Sequence, residues 1–130
     1  MNYDPHGCPI RYWSSIFGDK WSLLIVRDIM LKNRQNYGQF QSAGEGISTS
    51  VLASRLNHLE DHGIISKSLD ENHGKKYIYR LTDKGKALAD IIIKIIDWSE
   101  KFDEKTLVEK DFISALRKDP KALRKKLVET

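Results

Sequence analysis

Apolar residues along the chain recur at helical spacing in most stretches and alternate in one. Between residues 9 and 17 the spacing predicts a short helix, with Pro9 suited to its first turn and Cys8 near its cap. Asp19 can cap a second helix whose broad apolar face includes Trp21, Leu24, Ile25 and Ile29. A third short helix is expected over about residues 37–43, followed by a tight turn at Gly44 and Gly46. Ser48 reads as the N-cap of a fourth helix, where Leu52, Leu56 and Leu59 share one face and Gly63 supplies a left-handed stop. Two β-type segments at 64–69 and 75–81, joined by a polar turn with Gly74, predict a hairpin. Thr82 can cap one long last helix over 83–102, and residues 106–129 read as two amphipathic helices split at Asp119-Pro120.

Four helices, a hairpin and a long helix are the layout of a winged helix-turn-helix. The expected class is mainly α (α+β), with a two-stranded β-wing and extra N- and C-terminal dimerisation helices. The expected organisation is a DNA-binding and dimerisation domain over residues 1–102, with 103–130 as a helical extension of it.

Several stretches resemble the HxlR-type family of bacterial winged-helix regulators. Cys8-Pro9 is followed by Gly18, Lys20 and Trp21, then by the apolar LLIV run. Gly46-Ile47-Ser48 leads into Val51-Leu52, Arg55-Leu56, Leu59-Glu60 and Gly63, and Tyr79, Leu81-Thr82, Gly85 and Leu88 follow. The resemblance spans about residues 8–102. Family members often carry Arg-Phe where this chain has Asn36-Tyr37. The resemblance implies a homodimeric transcription regulator, a repressor by preference, reading an inverted repeat in double-stranded DNA.

With the three leucines turned inward, a step of about 100° per residue points Ser50, Ser54, Asn57 and Asp61 outward. Ser48 and Thr49 lie at the helix start, where backbone N–H groups favour a phosphate. Asn57 and His58 suit base edges. Arg55, toward the flank, can hold a phosphate or an internal carboxylate. Tyr37 and the wing residues His73, Lys75 and Lys76 complete the expected DNA-binding set. Asp61 argues against contact at the far end of the helix, since it would repel phosphate.

The long last helix is apolar over more than one face, so a second covering surface is expected. Tyr12, Trp13, Ile16, Phe17, Ile91, Ile95, Trp98 and Phe102 are the expected dimer interface. The alternative is the C-terminal tail folding back over that helix. Cys8 is the single cysteine, so no disulfide can form within one chain. Cysteines at helix starts are more reactive than ordinary ones, and His6 and Arg11 lie close in sequence. By resemblance Cys8 is the candidate redox sensor; ordinary packing is the other reading. His58 and His62 stand at i, i+4, a spacing that can grip a metal, but no further ligands accompany them. No metal or cofactor is expected. Trp13, Trp21 or Trp98 can line a small aromatic effector site, or simply fill the core.

Net charge is +4, from 22 basic and 18 acidic residues in 130. That permits an anionic partner without demanding one. Residues 48–101 carry nine basic and eight acidic groups, so local placement must decide the matter. There is no run of the roughly 20 apolar residues a membrane span needs and no signal-peptide pattern at the start. A cytoplasmic protein without a membrane partner is expected. No phosphate-binding glycine loop, zinc-protease motif or nucleophile elbow appears, which argues against an enzyme. The remaining alternatives are a winged-helix protein-interaction module and an effector-binding regulator without thiol sensing.

Overall fold

The computed structural model describes residues 7–72 and 74–129. The chain divides into two compact units, Met1–Thr82 and Asp83–Thr130. The first contains α1 (Pro9–Phe17), α2 (Ser22–Lys32), α3 (Tyr37–Gln41), α4 (Thr49–Asp61), β1 (Ile65–Leu69) and β2 (Tyr77–Leu81). The second contains α5 (Asp83–Lys86), α6 (Ala89–Phe102), α7 (Lys110–Lys118) and α8 (Pro120–Val128). The fold is a winged helix-turn-helix, mainly helical with a two-stranded antiparallel sheet as its wing.

Cys8 is the N-cap of α1 and Pro9 occupies its first turn. Asp19, three residues before α2, holds its start: its carboxylate accepts from the backbone N–H groups of Trp21 and Ser22, both at 2.9 Å, and from the Ser22 hydroxyl at 2.6 Å. The buried face of α2 is Ile25, Val26, Ile29 and Met30. Trp21 and Leu24, expected on that face, are only half-buried. The helix stops at Asn33, which takes a left-handed conformation.

Asn36 and Gln39 form a reciprocal capping box at α3. The Asn36 carboxamide oxygen accepts from the Gln39 N–H at 2.9 Å, and the Gln39 side chain accepts from the Asn36 N–H at 3.2 Å.

The Ser48 hydroxyl accepts from Val51 N–H at 3.3 Å and so caps α4. Leu52, Leu56 and Leu59 are at most 2% exposed. Burying each is worth about 1.5–3 kcal/mol. The helix ends in a full Schellman motif: Gly63 N–H donates to Glu60 C=O and Ile64 N–H to Leu59 C=O, both at 2.9 Å. Gly63 has φ +72, where a side chain would be strained, and Leu59 and Ile64 supply the accompanying buried apolar pair.

The hairpin pairs Ile65 with Leu81 and Leu69 with Tyr77. Tyr79 N–H donates to Gln35 C=O at 2.7 Å, which ties β2 to the segment before α3. The Thr82 hydroxyl donates back to the carbonyls of Gly63 and Ile64, closing the hairpin base.

The single long helix expected over 83–102 is broken. Leu88 N–H bonds to Gly85 C=O, an i→i+3 turn, and α6 restarts at Ala89. Gly85 is a poor helix former at that point. Beyond α6, Leu116 and Leu123 bury against Ile93, with Phe112, Ile113 and Leu127 packed around them. Arg124 meets Asp90 at 2.8 Å and Arg117 meets Glu100 at 2.5 Å. The tail folds back on α6 of its own chain, the alternative set out above. Most of its apolar residues therefore find cover without a partner, though Leu107 is 97% exposed.

Candidate nucleic-acid interface

On α4 and its cap the exposed residues are Ser48, Thr49, Ser50, Ala53, Ser54, Asn57 and Asp61. These side chains are short, so a groove wall could approach the backbone closely. They carry hydroxyl and amide groups that can hydrogen-bond base edges. Asp61, at the far end, is the exposed acidic group on this face. The leucine stripe thus sets the outward direction.

Three residues expected in the interface are engaged elsewhere. His58 turns inward: its Nε2 lies 2.8 Å from the Ile16 carbonyl oxygen, and its ring meets His62 edge-on at 4.5 Å. It is half-buried, so it does not stand on the outer face with Asn57. Arg55 takes the internal carboxylate of its two options, reaching Asp19 at 3.4 Å. The Tyr37 hydroxyl donates to Thr49 C=O at 2.8 Å. A phenol has one proton to give, and here it joins α3 to the start of α4 instead of reaching a phosphate.

Lys75 and Lys76 are exposed beside Gly74 in the wing turn. The turn is held by Asp70, whose N–H donates to Lys76 C=O at 2.7 Å and whose carboxylate accepts from Asn72 N–H at 2.9 Å. His73 lies outside the described residues. An open groove of about 360 Å³ runs between Asn36, Tyr37 and Gly38 on one side and Lys75, Lys76, Tyr77 and Tyr79 on the other. Lys67 is not among the residues expected in the interface. It sits on β1 with its ammonium 4.7 Å from the centre of the Tyr77 ring, adding a cation to the wing. Alternation from the buried Ile65 would turn Lys67 inward, yet it is exposed, so periodicity carried no signal for it.

Asp19 and Arg27 anchor the helix-turn-helix electrostatically. Burial pushes the Asp19 carboxyl up. The Ser22 hydroxyl, the Trp21 and Ser22 N–H groups and the Arg55 charge outweigh that and hold its pKa below the usual value. Burial would lower the Arg27 pKa, but Asp28 and Glu45 raise it. Asp28 is 4% exposed and takes Arg27 at 2.7 Å and Arg34 at 3.0 Å, while Arg27 also holds Glu45 at 2.9 Å. This chain of charges pins the turn before α4 to α2.

The expected dimer residues divide into two groups. Ile16 and Phe17 are at most 6% exposed, so they are core residues and offer no surface. Tyr12 and Trp13 are half-buried, and the Trp13 ring leans on Phe17 at 4.9 Å. On α6, Ile91, Ile95, Trp98 and Phe102 are 37%, 41%, 64% and 71% exposed and form one stripe at i, i+4, i+7 and i+11. Trp98 and Phe102 touch, with ring centres 5.4 Å apart. Of the three tryptophans that can line an effector site or fill the core, Trp21 is half-buried beneath the Lys20 ammonium. Cys8 is half-buried at the cap of α1. Among the described residues no helix is long and apolar enough to cross a membrane.

Residues 16–107 match the family model described as HxlR-like helix-turn-helix. A helix-turn-helix-type transcriptional regulator of Synechocystis, itself uncharacterised, is 33% identical over 76% of this chain and 79% of its own. Among solved structures, the candidate transcription factor PA1607 superposes with a TM-score of 0.71 at 37% identity, over 82% of this chain and 78% of that one. The reduced form of the regulator YodB from Bacillus subtilis gives 0.62 at 29% identity, over 77% of this chain and 98% of that one. YodB has also been solved with quinone bound. The relatives are regulators, not enzymes. With an exposed hydroxyl- and amide-bearing helix, a cationic wing and a family match across both, the chain belongs to the HxlR-like helix-turn-helix family of DNA-binding transcriptional regulators.

Proposed function

We propose that the chain binds double-stranded DNA sequence-specifically as a homodimer on an inverted repeat and represses transcription there. The observation that carries this reading is the outer face of α4, where Ser50, Ser54 and Asn57 stand exposed opposite three buried leucines. These three would read base edges in the major groove. Ser48 and Thr49, at the positive end of the helix, would meet a phosphate. Lys75 and Lys76 would hold the backbone beside them.

The dimer is supported by the α6 stripe. Four large apolar side chains in one exposed row are a mark of an interaction surface. A self-complementary pairing of two such stripes is the simplest closed assembly. Two recognition helices related by a two-fold axis read half-sites about 34 Å apart, one turn of duplex. A dimer seated across such a site excludes other proteins from it, which is the physical basis of repression. Regulation of this kind places the protein in the cytoplasm, with the DNA.

A thiol response is part of the proposal. Cys8 caps α1, and the similar regulator YodB has been solved in reduced, quinone-bound and diamide-treated forms. Cys8 is accordingly the position at which an oxidant or electrophile would act. Comparing DNA binding by the parent and Cys8→Ser before and after diamide tests this, and equal responses would remove the thiol from the account.

The decisive experiment is selection from a pool of random duplexes by the purified chain. The expected product is a short motif present twice in inverted orientation. A pool that stays unenriched would replace the regulator reading with the protein-interaction one.

A further inference from the structure

We infer that Arg55 and His58 are positioning residues that clamp the recognition helix to the corner between α1 and α2. The inference rests on the DNA-binding reading and concerns how α4 is aimed. The two residues are three apart on α4, so their side chains leave the same flank, one turn from each other. Each ends on the same short segment. His58 Nε2 meets the carbonyl of Ile16, in the last turn of α1, at 2.8 Å. Arg55 Nη1 meets Asp19, whose carboxylate accepts from the backbone N–H groups at the start of α2, at 3.4 Å. The other Arg55 amino group lies 3.4 Å from the Ser54 hydroxyl, on the outward face. Asp19 is in turn fixed by three bonds to Trp21 and Ser22.

The leucine stripe fixes which side of α4 faces inward. Apolar packing is non-directional, so it leaves small rotations about the helix axis weakly opposed. Two polar bonds to one rigid corner remove that freedom. The angle at which Ser50, Ser54 and Asn57 enter the groove therefore depends on where the α1–α2 corner sits. The same corner ends the helix that Cys8 begins, so a displacement of α1 has a direct route to the base-reading face.

Salt dependence separates a clamp from a DNA contact. An arginine bound to phosphate contributes about 0.9 to the slope of log affinity against log salt. Specific affinity is measured on the duplex selected above, and non-specific affinity on poly(dI-dC), for the parent, Arg55→Gln, Asp19→Asn and Arg55→Lys. Arg55→Gln should weaken specific binding roughly tenfold, within the range of single contacting networks, with an unchanged slope and little loss on poly(dI-dC). Asp19→Asn should weaken specific binding in the same way. Bare electrostatics gives the opposite sign, since that change removes a negative charge. Arg55→Lys, which can still reach Asp19, should recover part of the loss. Amide hydrogen exchange in residues 49–57 of the DNA-free protein should quicken in Arg55→Gln and Asp19→Asn. A slope reduced by about one in Arg55→Gln, or tighter binding by Asp19→Asn, would overturn the clamp. Failure of the selection itself sinks the DNA reading instead; the hydrogen exchange result then still decides the clamp.

Discussion

Leu56 and Asn57 are neighbours in sequence, and the orientation of α4 gives them opposite fates. Leu56 is 2% exposed, while Asn57 is on the open face. Leu→Ala at a buried site costs about 2–5 kcal/mol, depending on how far the surroundings collapse into the void. Here α4 is held at one end by the Ser48 cap and at the other by the Gly63 Schellman turn, with Leu52 and Leu59 fully buried on either side. Collapse is resisted, so about 3 kcal/mol is expected for Leu56→Ala. In a unit of this size that lowers Tm by about 12–24 °C. Asn57→Ala should leave stability within about 0.5 kcal/mol, because alanine is the better helix former and no cavity opens. On the selected duplex Asn57→Ala should lose about 1–3 kcal/mol, roughly a 5- to 150-fold loss of affinity, if one base contact goes. Thermal denaturation at fixed protein concentration and fluorescence-anisotropy titrations read both quantities. An unfolded Asn57→Ala beside an unperturbed Leu56→Ala would mean that α4 is rotated by half a turn, and every assignment on its face would fall.

Neutralising both wing lysines, Lys75→Ala with Lys76→Ala, should weaken binding to selected and random duplexes alike and reduce the salt slope by up to about 1.8. Unchanged random-DNA affinity would take the wing out of the interface. Trp98→Glu should convert the proposed dimer to monomer in light scattering while leaving the helical circular dichroism intact, since the residue is 64% exposed. A parent chain that is already monomeric at micromolar concentration would remove the basis for that expectation. Asp19 has a folded pKa below its unfolded value, so its contribution to stability is present above about pH 4 and is lost as pH falls through the lowered value. Urea midpoints between pH 5 and pH 2.5 should therefore fall less steeply for Asp19→Asn than for the parent; equal slopes would refute the assignment.

Local sequence determined most of the elements, though not the break between α5 and α6. Pro9, Ser48, Gly63 and the Asp119-Pro120 step mark helix ends through backbone geometry that neighbours alone impose, and the leucine period fixed which side of α4 is wet. The family was legible for the same reason, because its motif residues are mostly caps, turns and core positions. Tertiary structure decided where polar side chains end. His58 and Arg55 sit on the flank of α4 by periodicity alone, yet Ile16 C=O and Asp19, 42 and 36 positions earlier, capture them. Tyr37 likewise gives its proton to Thr49 C=O. The apolar side chains of α6 were visible as a surplus, but which of them the tail would cover depended on α7 and α8 packing over Ile93. Periodicity gives the direction a side chain leaves its own helix, and only the folded chain supplies the distant donor, acceptor or apolar surface that it meets.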